Sequence, residues 1–312
     1  MAGVRTIAVT NQKGGVGKTT TAVNLAAALA RRGHSVCLVD MDPQAHLTMH
    51  FGIDPTALPV SMFQVMTEDA PLTAAVVAVE PNLSVAPATI DLAAAEVELA
   101  GAVGREQILR DRLAAEELPY DLVMVDCAPS LGLLTLNALT AAQEVMIPLQ
   151  PHFLALQGLG RLLETVSLVQ RRINPALKVS GVIFCMYESG TRLAAEIVED
   201  VQGFFADARG GESPWSEARI FRTRIRRNIK LAECPSHGTT IMNYDPSSHG
   251  AADYAALADE FLGAAAGEQA DAQPADAPEE PPPPPPAQEA ALPASDEPPP
   301  AEPPQANTSP TP

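Results

Sequence analysis

Between Lys13 and Thr20 the chain reads Lys-Gly-Gly-Val-Gly-Lys-Thr-Thr, directly before a stretch with helical character. That combination is built for holding phosphate. Gly14, Gly15 and Gly17 let backbone N–H groups close around anionic oxygens, the amides of Val16 and Thr20 extend the cradle, and the following helix points its positive end at them. Lys18 is spaced to reach the β- and γ-phosphates of a nucleotide, and the Thr19 hydroxyl to ligate Mg²⁺. The general pattern GxxxxGK[ST] asks for glycine where Gln12 stands, and a second lysine, Lys13, takes the next position. A glycine-rich turn alone would be weak grounds for a nucleotide site. Here strand, loop, Lys-Thr pair and helix coincide.

Three carboxylates complete the chemistry. Asp40 and Asp42 end one apolar run in VDMDPQ, and Asp126 ends another in VMVDCAP. Carboxylates at strand C-termini face the ligand edge of a parallel sheet, where they can hold metal-bound waters or orient an attacking water. The same residues also suit turns that begin at or near a proline, Asp42 before Pro43 and Asp126 near Pro129, so both readings stand for each.

The elements that must position these groups alternate along the chain. Strands are expected at Thr6–Thr10, Val36–Asp40, Leu83–Ala86, Leu122–Asp126, Val145–Pro148, Val179–Met186 and Ile220–Ile225. Helices are expected at Thr19–Arg32, Ala93–Glu117, Leu131–Ala142, Leu156–Ile173, Leu193–Ala208 and Ala251–Ala265. Runs such as Leu122–Val125 are apolar without alternation, which fits strands covered on both faces. The fold class is therefore α/β, a doubly wound, mainly parallel sheet flanked by helices, in a P-loop domain over residues 1–266.

At these residues the chain resembles the ParA/MinD family of ATPases, whose deviant phosphate loop is KGGxGK[ST]. The resemblance spans nearly all of residues 4–265 and includes NQKGGVGKTTTAVNLAAALA (Asn11–Ala30), LVDMDPQ (Leu38–Gln44), LVMVDCAPSLG (Leu122–Gly132) and RNIKLAECPSHG (Arg227–Gly238). It implies ATP and Mg²⁺ as ligands, and a homodimer in the ATP state in which Lys13 reaches across to the partner subunit's nucleotide. It implies a water-positioning role for Asp42, a magnesium-water role for Asp126, and a supporting place for Asp40 in the metal shell. In relatives the segment around Asn228 lies near the adenine, which makes Asn228 a candidate base contact.

A basic strip stands out against an acidic background. Arg219, Arg222, Arg224, Arg226, Arg227 and Lys230 fall in one window without an acid. On a strand over Ile220–Ile225, Arg222, Arg224 and Arg226 would share one face while Phe221, Thr223 and Ile225 take the other. Such a stripe suits a DNA backbone reader; a solvated edge strand, or arginines paired with surplus carboxylates, is the plainer account. The resemblance favours DNA, with Arg227 and Lys230 at matching positions. Many relatives carry an arginine where this chain has Gly190, and Arg192 is the candidate substitute. No base-reading module is visible in this sequence, so the expected target is double-stranded DNA without sequence preference.

Composition narrows the alternatives. Of the net charge of −18, half belongs to residues 267–312, which hold 16 of the 30 prolines, 9 acids and no Lys or Arg. This segment is expected to be a disordered, extended tail, either a docking linker or a solubilising extension. The longest charge-free stretch, Cys127–Gln143, is too short and too polar for a bilayer. No signal peptide is expected at the start, and the acidic C-terminal segment argues against a MinD-like membrane anchor. The four cysteines form no CxxC pair, so we read them as core residues in a cytoplasmic protein, with neither a zinc site nor a shared iron–sulfur cluster. The leading expectation is a nucleoid-associated ATPase for chromosome or plasmid segregation, with a ParB-like centromere-binding partner stimulating hydrolysis. Positioning of a protein cargo on DNA is the alternative; a reductase or amidoligase would need cluster cysteines or a substrate domain.

Overall fold

The structure, a computed structural model, describes residues 4–265; the expected Pro-rich tail lies outside the described residues. Strands β1 (Arg5–Val9), β2 (Val36–Met41), β3 (Val77–Glu80), β4 (Leu83–Ala86), β5 (Leu122–Cys127), β6 (Glu144–Leu149), β7 (Lys178–Phe184) and β8 (Arg219–Ile220) form one sheet in the order β3-β4-β2-β5-β1-β6-β7-β8. All neighbouring pairs are parallel except β3–β4. The helices are α1 (Lys18–Ala30), α2 (His46–His50), α3 (Met62–Thr67), α4 (Leu72–Ala75), α5 (Leu92–Glu98), α6 (Ile108–Ala115), α7 (Leu133–Ala141), α8 (Ala155–Arg172), α9 (Arg192–Asp207), α10 (Ile229–Glu233), α11 (Ile241–Tyr244) and α12 (His249–Ala265).

The central strands are apolar on both faces because helices cover both. Successive residues of β2 feed opposite cores: Cys37, Val39 and Met41 join one, Val36 and Leu38 the other. In β1, Ala8 joins the first core while Ile7 and Val9 join the second. The expected doubly wound parallel sheet is what the chain forms.

Two expectations need correction. The single helix over Ala93–Glu117 is instead α5, a 3₁₀ turn at Leu99–Gly101, a run of turns, and α6, because Gly101 and Gly104 interrupt it with residues that bring no helical preference. The strand over Ile220–Ile225 ends at Ile220. Beyond it, Phe221 and Ile225 still donate to β7 carbonyls at Val182 and Phe184. The intervening N–H groups of Arg222 and Thr223 are taken by Glu260 at 2.7 and 2.9 Å, and that of Arg226 by Asp253 at 3.0 Å. Both acids lie on α12, so carboxylates replace a sheet neighbour as acceptors.

The segment from α10 to α11 is tied to the phosphate-loop helix. Asn24 of α1, fully buried, donates to Thr20 O at 2.8 Å and accepts the Ile241 N–H at 2.8 Å. His50, only 2% exposed, meets the Thr239 carbonyl through Nε2 at 3.1 Å. A neutral ring donates there, and burial pushes the His50 pKa down to about 4, with the carbonyl partly opposing. The folded value lies below the unfolded value of about 6.5, so His50 contributes fully above that pH and its contribution falls as pH drops toward 4. Denaturant melts of wild type and His50→Gln between pH 7.5 and 4 should therefore show the wild-type advantage shrinking by a few kcal/mol. Taking the difference removes Asp40 and Asp126, whose raised values act in the opposite direction. A difference independent of pH would contradict the assignment.

Candidate nucleotide site and basic surface

The phosphate loop follows β1 and is pinned before it turns. Asn11, buried, donates through Nδ2 to Pro148 O at 2.8 Å and accepts the Lys13 N–H at 3.0 Å. Gly15 and Gly17 then adopt φ of 73° and 93°, a region that side chains disfavour by roughly 1–2 kcal/mol. Gly17 is also the N-cap of α1 and supplies no side-chain acceptor, so the first-turn N–H groups of the helix have no side-chain cap. An anion fits that gap.

Lys18 opens α1 only 7% exposed, its Nζ donating to Lys13 O at 3.3 Å. Burial lowers its pKa, and the charges of Asp126, Cys127 and Asp42 oppose that shift. Lys13, by contrast, is exposed. One loop thus directs one lysine inward and one outward.

Sheet register assembles the carboxylates. Val9 of β1, Asp126 of β5 and Asp40 of β2 are register partners at one edge. Thr19 donates to Asp126 Oδ2 at 2.6 Å, while Asp126 Oδ1 is buried without a hydrogen-bond partner. Burial, followed by the neighbouring Asp40, pushes the Asp126 pKa up to about 8. A hydroxyl, an orphaned carboxylate oxygen and an electrostatic environment hostile to bare negative charge fit a hard dication. Among the described residues no cluster of three His, Cys, Asp or Glu suits a metal, but such a cluster is not required where phosphate oxygens and water complete the shell.

The other two acids differ. Asp42, 8% exposed, accepts the Gln44 N–H at 2.9 Å across Pro43, so the turn role and the position at the ligand edge coexist. Asp40 is committed to the scaffold: it accepts the Asp42 N–H at 3.1 Å, the Thr48 N–H at 2.9 Å and the Thr48 hydroxyl at 2.7 Å. Thr48 Oγ1 in turn accepts the Ala88 N–H. Burial pushes the Asp40 pKa up to about 6. Asn228 likewise has a local task, capping α10 by accepting the Lys230 N–H at 2.9 Å.

The basic residues are gathered but unequal. Arg226 forms a forked pair with Asp253, a buried acid. Arg224 stacks on the Tyr187 ring at 4.4 Å and donates to its hydroxyl. Arg227 pairs with exposed Glu188 at 3.0 Å, and Lys230 with Glu233 at 2.9 Å. Arg222 and Arg192 are exposed and, among the described residues, make no ion pair. The strip packs along the Tyr187–Thr191 loop that leads into Arg192 at the start of α9, through an isolated bridge between Tyr187 and Arg226. Sequence reasoning missed Asn11, whose signal was its place two residues before Lys13, and the contact of the Lys13 ammonium with the His152 ring, which needed the sheet order.

A strand, a left-handed glycine loop, a lysine-led helix and a strand-end aspartate paired with the loop threonine define a P-loop nucleotide-binding protein. Residues 4–179 match the AAA domain family. The sporulation initiation inhibitor protein Soj of Bacillus subtilis is 45% identical over 255 residues, covering 81% of this chain and 96% of the relative. The chromosome partitioning protein ParA of Myxococcus xanthus is 43% identical over 259 residues, covering 83% and 88%. A crystal structure of cobyrinic acid a,c-diamide synthase from Mycobacterium smegmatis, with bound ATP analog and magnesium, superimposes with a TM-score of 0.71 at 39% identity, covering 85% of this chain and 96% of that one. The chain belongs to the ParA/Soj family of chromosome-partitioning ATPases.

The loop geometry separates its glycines. Gly17→Ala places a Cβ at φ 93° and should cost ~1–2 kcal/mol in the nucleotide-free protein. Gly14→Ala, at an ordinary φ with nothing within 4 Å, should cost less. Equilibrium urea melts of both variants decide this; equal losses would mean that the loop is not held as described.

Proposed function

We propose that this ATPase works as an ATP-dependent sandwich dimer that binds DNA without sequence preference and drives chromosome or plasmid segregation, a ParB-like partner stimulating hydrolysis. The observation that carries the reading is the divergence of the two loop lysines. Lys18 is buried beside Asp126 and Asp42, where it can neutralise its own subunit's phosphates. Lys13 is exposed at the loop's outer side, suited to meet charge on another molecule. A second lysine in trans would tie nucleotide occupancy to association.

Thr19 and Asp126 are the residues that would hold Mg²⁺, and the ion when bound supplies charge neutralisation on the transferring phosphoryl group. Gly14 to Thr20 orient the phosphates through backbone N–H groups. Asp42, fixed by its turn to Gln44, orients the attacking water. No helix among the described residues is long and apolar enough to cross a membrane, and the basic segment supports association with the nucleoid.

The diamide synthase description of the Mycobacterium smegmatis structure raises amide formation as another activity. Releasing ammonia from glutamine through a cysteine requires an accessible thiolate. All four cysteines are buried; burial pushes Cys37 and Cys185 up to about 12, Cys234 to about 11, and Cys127 higher still. This disfavours the amidoligase reading.

Lys18→Ala and Asp126→Asn should each lower ATP hydrolysis on the order of 100-fold or more, measured by phosphate release. With ATP and magnesium, Asp42→Ala should accumulate as a dimer in analytical ultracentrifugation; a variant that stays monomeric would defeat the sandwich reading. Gel shifts over a salt series should show ATP-dependent, sequence-independent binding, with Arg222→Ala and Arg227→Ala each removing about one unit of the log–log salt slope. Arg226→Ala should also lower thermal stability, since it strands Asp253. DNA binding indifferent to nucleotide and to the first two substitutions would refute the basic-surface assignment.

A further inference from the structure

Lys13 does not wave freely at the surface. Its Nζ contacts Nε2 of His152, a residue of the loop between β6 and α8. The Lys18 ammonium instead lies back on the carbonyl of Lys13 at 3.3 Å. Two devices fix the backbone on either side of this contact. Asn11 links the start of the phosphate loop to Pro148 at the end of β6, through 2.8 and 3.0 Å hydrogen bonds. The loop itself closes through the Ala155 N–H, which donates to His152 O at 2.8 Å. Beside the ring, Phe153 and Leu154 are 80% and 56% exposed, so the lysine emerges next to an apolar surface rather than over its own cradle.

We propose that His152 is a positioning residue for Lys13: the neutral imidazole accepts one N–H of the ammonium and holds the other two outward, toward a partner subunit's nucleotide. The inference rests on the sandwich-dimer reading given above. An ammonium has three donors, so it can keep the histidine while binding phosphate oxygens. Burial, and then the charge of Lys13, lowers the His152 pKa, which favours the neutral ring.

The ring carries a second relation that makes the inference testable. The Leu154 N–H points at His152 Nδ1 at 3.1 Å. A neutral imidazole has a single acceptor nitrogen, so it serves Lys13 through Nε2 or Leu154 through Nδ1, never both. With the lysine served, the proton sits on Nδ1 and the Leu154 N–H has to turn away from that nitrogen; without the lysine, the proton moves to Nε2 and Nδ1 accepts from Leu154.

Nitrogen-15 NMR of imidazole-labelled full-length protein, without nucleotide, should show the Nδ1–H tautomer of His152 in wild type and the Nε2–H tautomer in Lys13→Ala. Sedimentation with a non-hydrolysable ATP analogue and magnesium should show His152→Ala weakening dimerisation about a hundredfold, about tenfold for each of the two equivalent Lys13 contacts in a symmetric dimer. His152→Gln, whose amide oxygen can accept, should stay within about threefold of wild type. Lys13→Ala should fail to dimerise. If Lys13→Ala dimerises like wild type, the sandwich reading falls and this inference with it. If Lys13→Ala is monomeric but His152→Ala matches wild type, or the tautomer ignores Lys13, the positioning role alone is overturned.

Discussion

The arrangement turns on one buried charge. Lys18 sits at the first position of α1, nearly inaccessible; burial lowers its pKa, and the neighbouring Asp126, Cys127 and Asp42 oppose that shift. Neither side is comfortable alone: Asp126 is buried beside Asp40, with an oxygen left unpaired. A cation and an acidic cluster that stabilise each other only partly form a site prepared for a polyanion with its counter-cation, because both ligands remove a local imbalance at once. The parallel sheet exists to make this convergence possible. Only when β1, β2 and β5 run the same way in register do the phosphate loop, Asp40 and Asp126 emerge at one edge.

That logic explains which parts were legible from sequence. Central strands such as β2 and β5 read clearly because burial on both faces demands unbroken apolar runs, and the loop read clearly because left-handed backbone at Gly15 and Gly17 demands glycine. The antiparallel edge strand β3 was not legible: its four residues, Val77–Glu80, are half-exposed and carry no pattern that separates a strand from a loop. The strand expected over Ile220–Ile225 had the right alternation, with Phe221 and Ile225 buried. Its ladder was lost to Glu260 and Asp253, acceptors more than 25 residues further along the chain that no local window reveals.

The acids were legible as a group but not in their division of labour. Asp40 and Asp42 are two residues apart in one motif, yet Asp40 spends its lone pairs on Thr48 and the turn, whereas Asp126 keeps an oxygen without a partner. Strand-end position tells which carboxylates reach the edge. Which of them remains available depends on what packs above it, here the N–H and hydroxyl that α2 supplies through Thr48.

The same distinction reshapes the basic strip. A count of six cations within a chain of net charge −18 suggests a uniform positive face, but a guanidinium already matched to a carboxylate offers a phosphate only an exchange of partners. Arg226 would have to abandon the buried Asp253, a costly exchange, while Arg227 would surrender only a solvated Glu188, worth little. Arg224 can keep its stacking on Tyr187 and still present N–H groups, because stacking uses the face of the plane and hydrogen bonding its edge. On the proposed DNA-binding reading, Arg192, Arg222, Arg224 and Arg227 are the cations that can meet phosphate at least cost, and Arg226, besides its place in the strip, fastens that surface to α12 through Asp253.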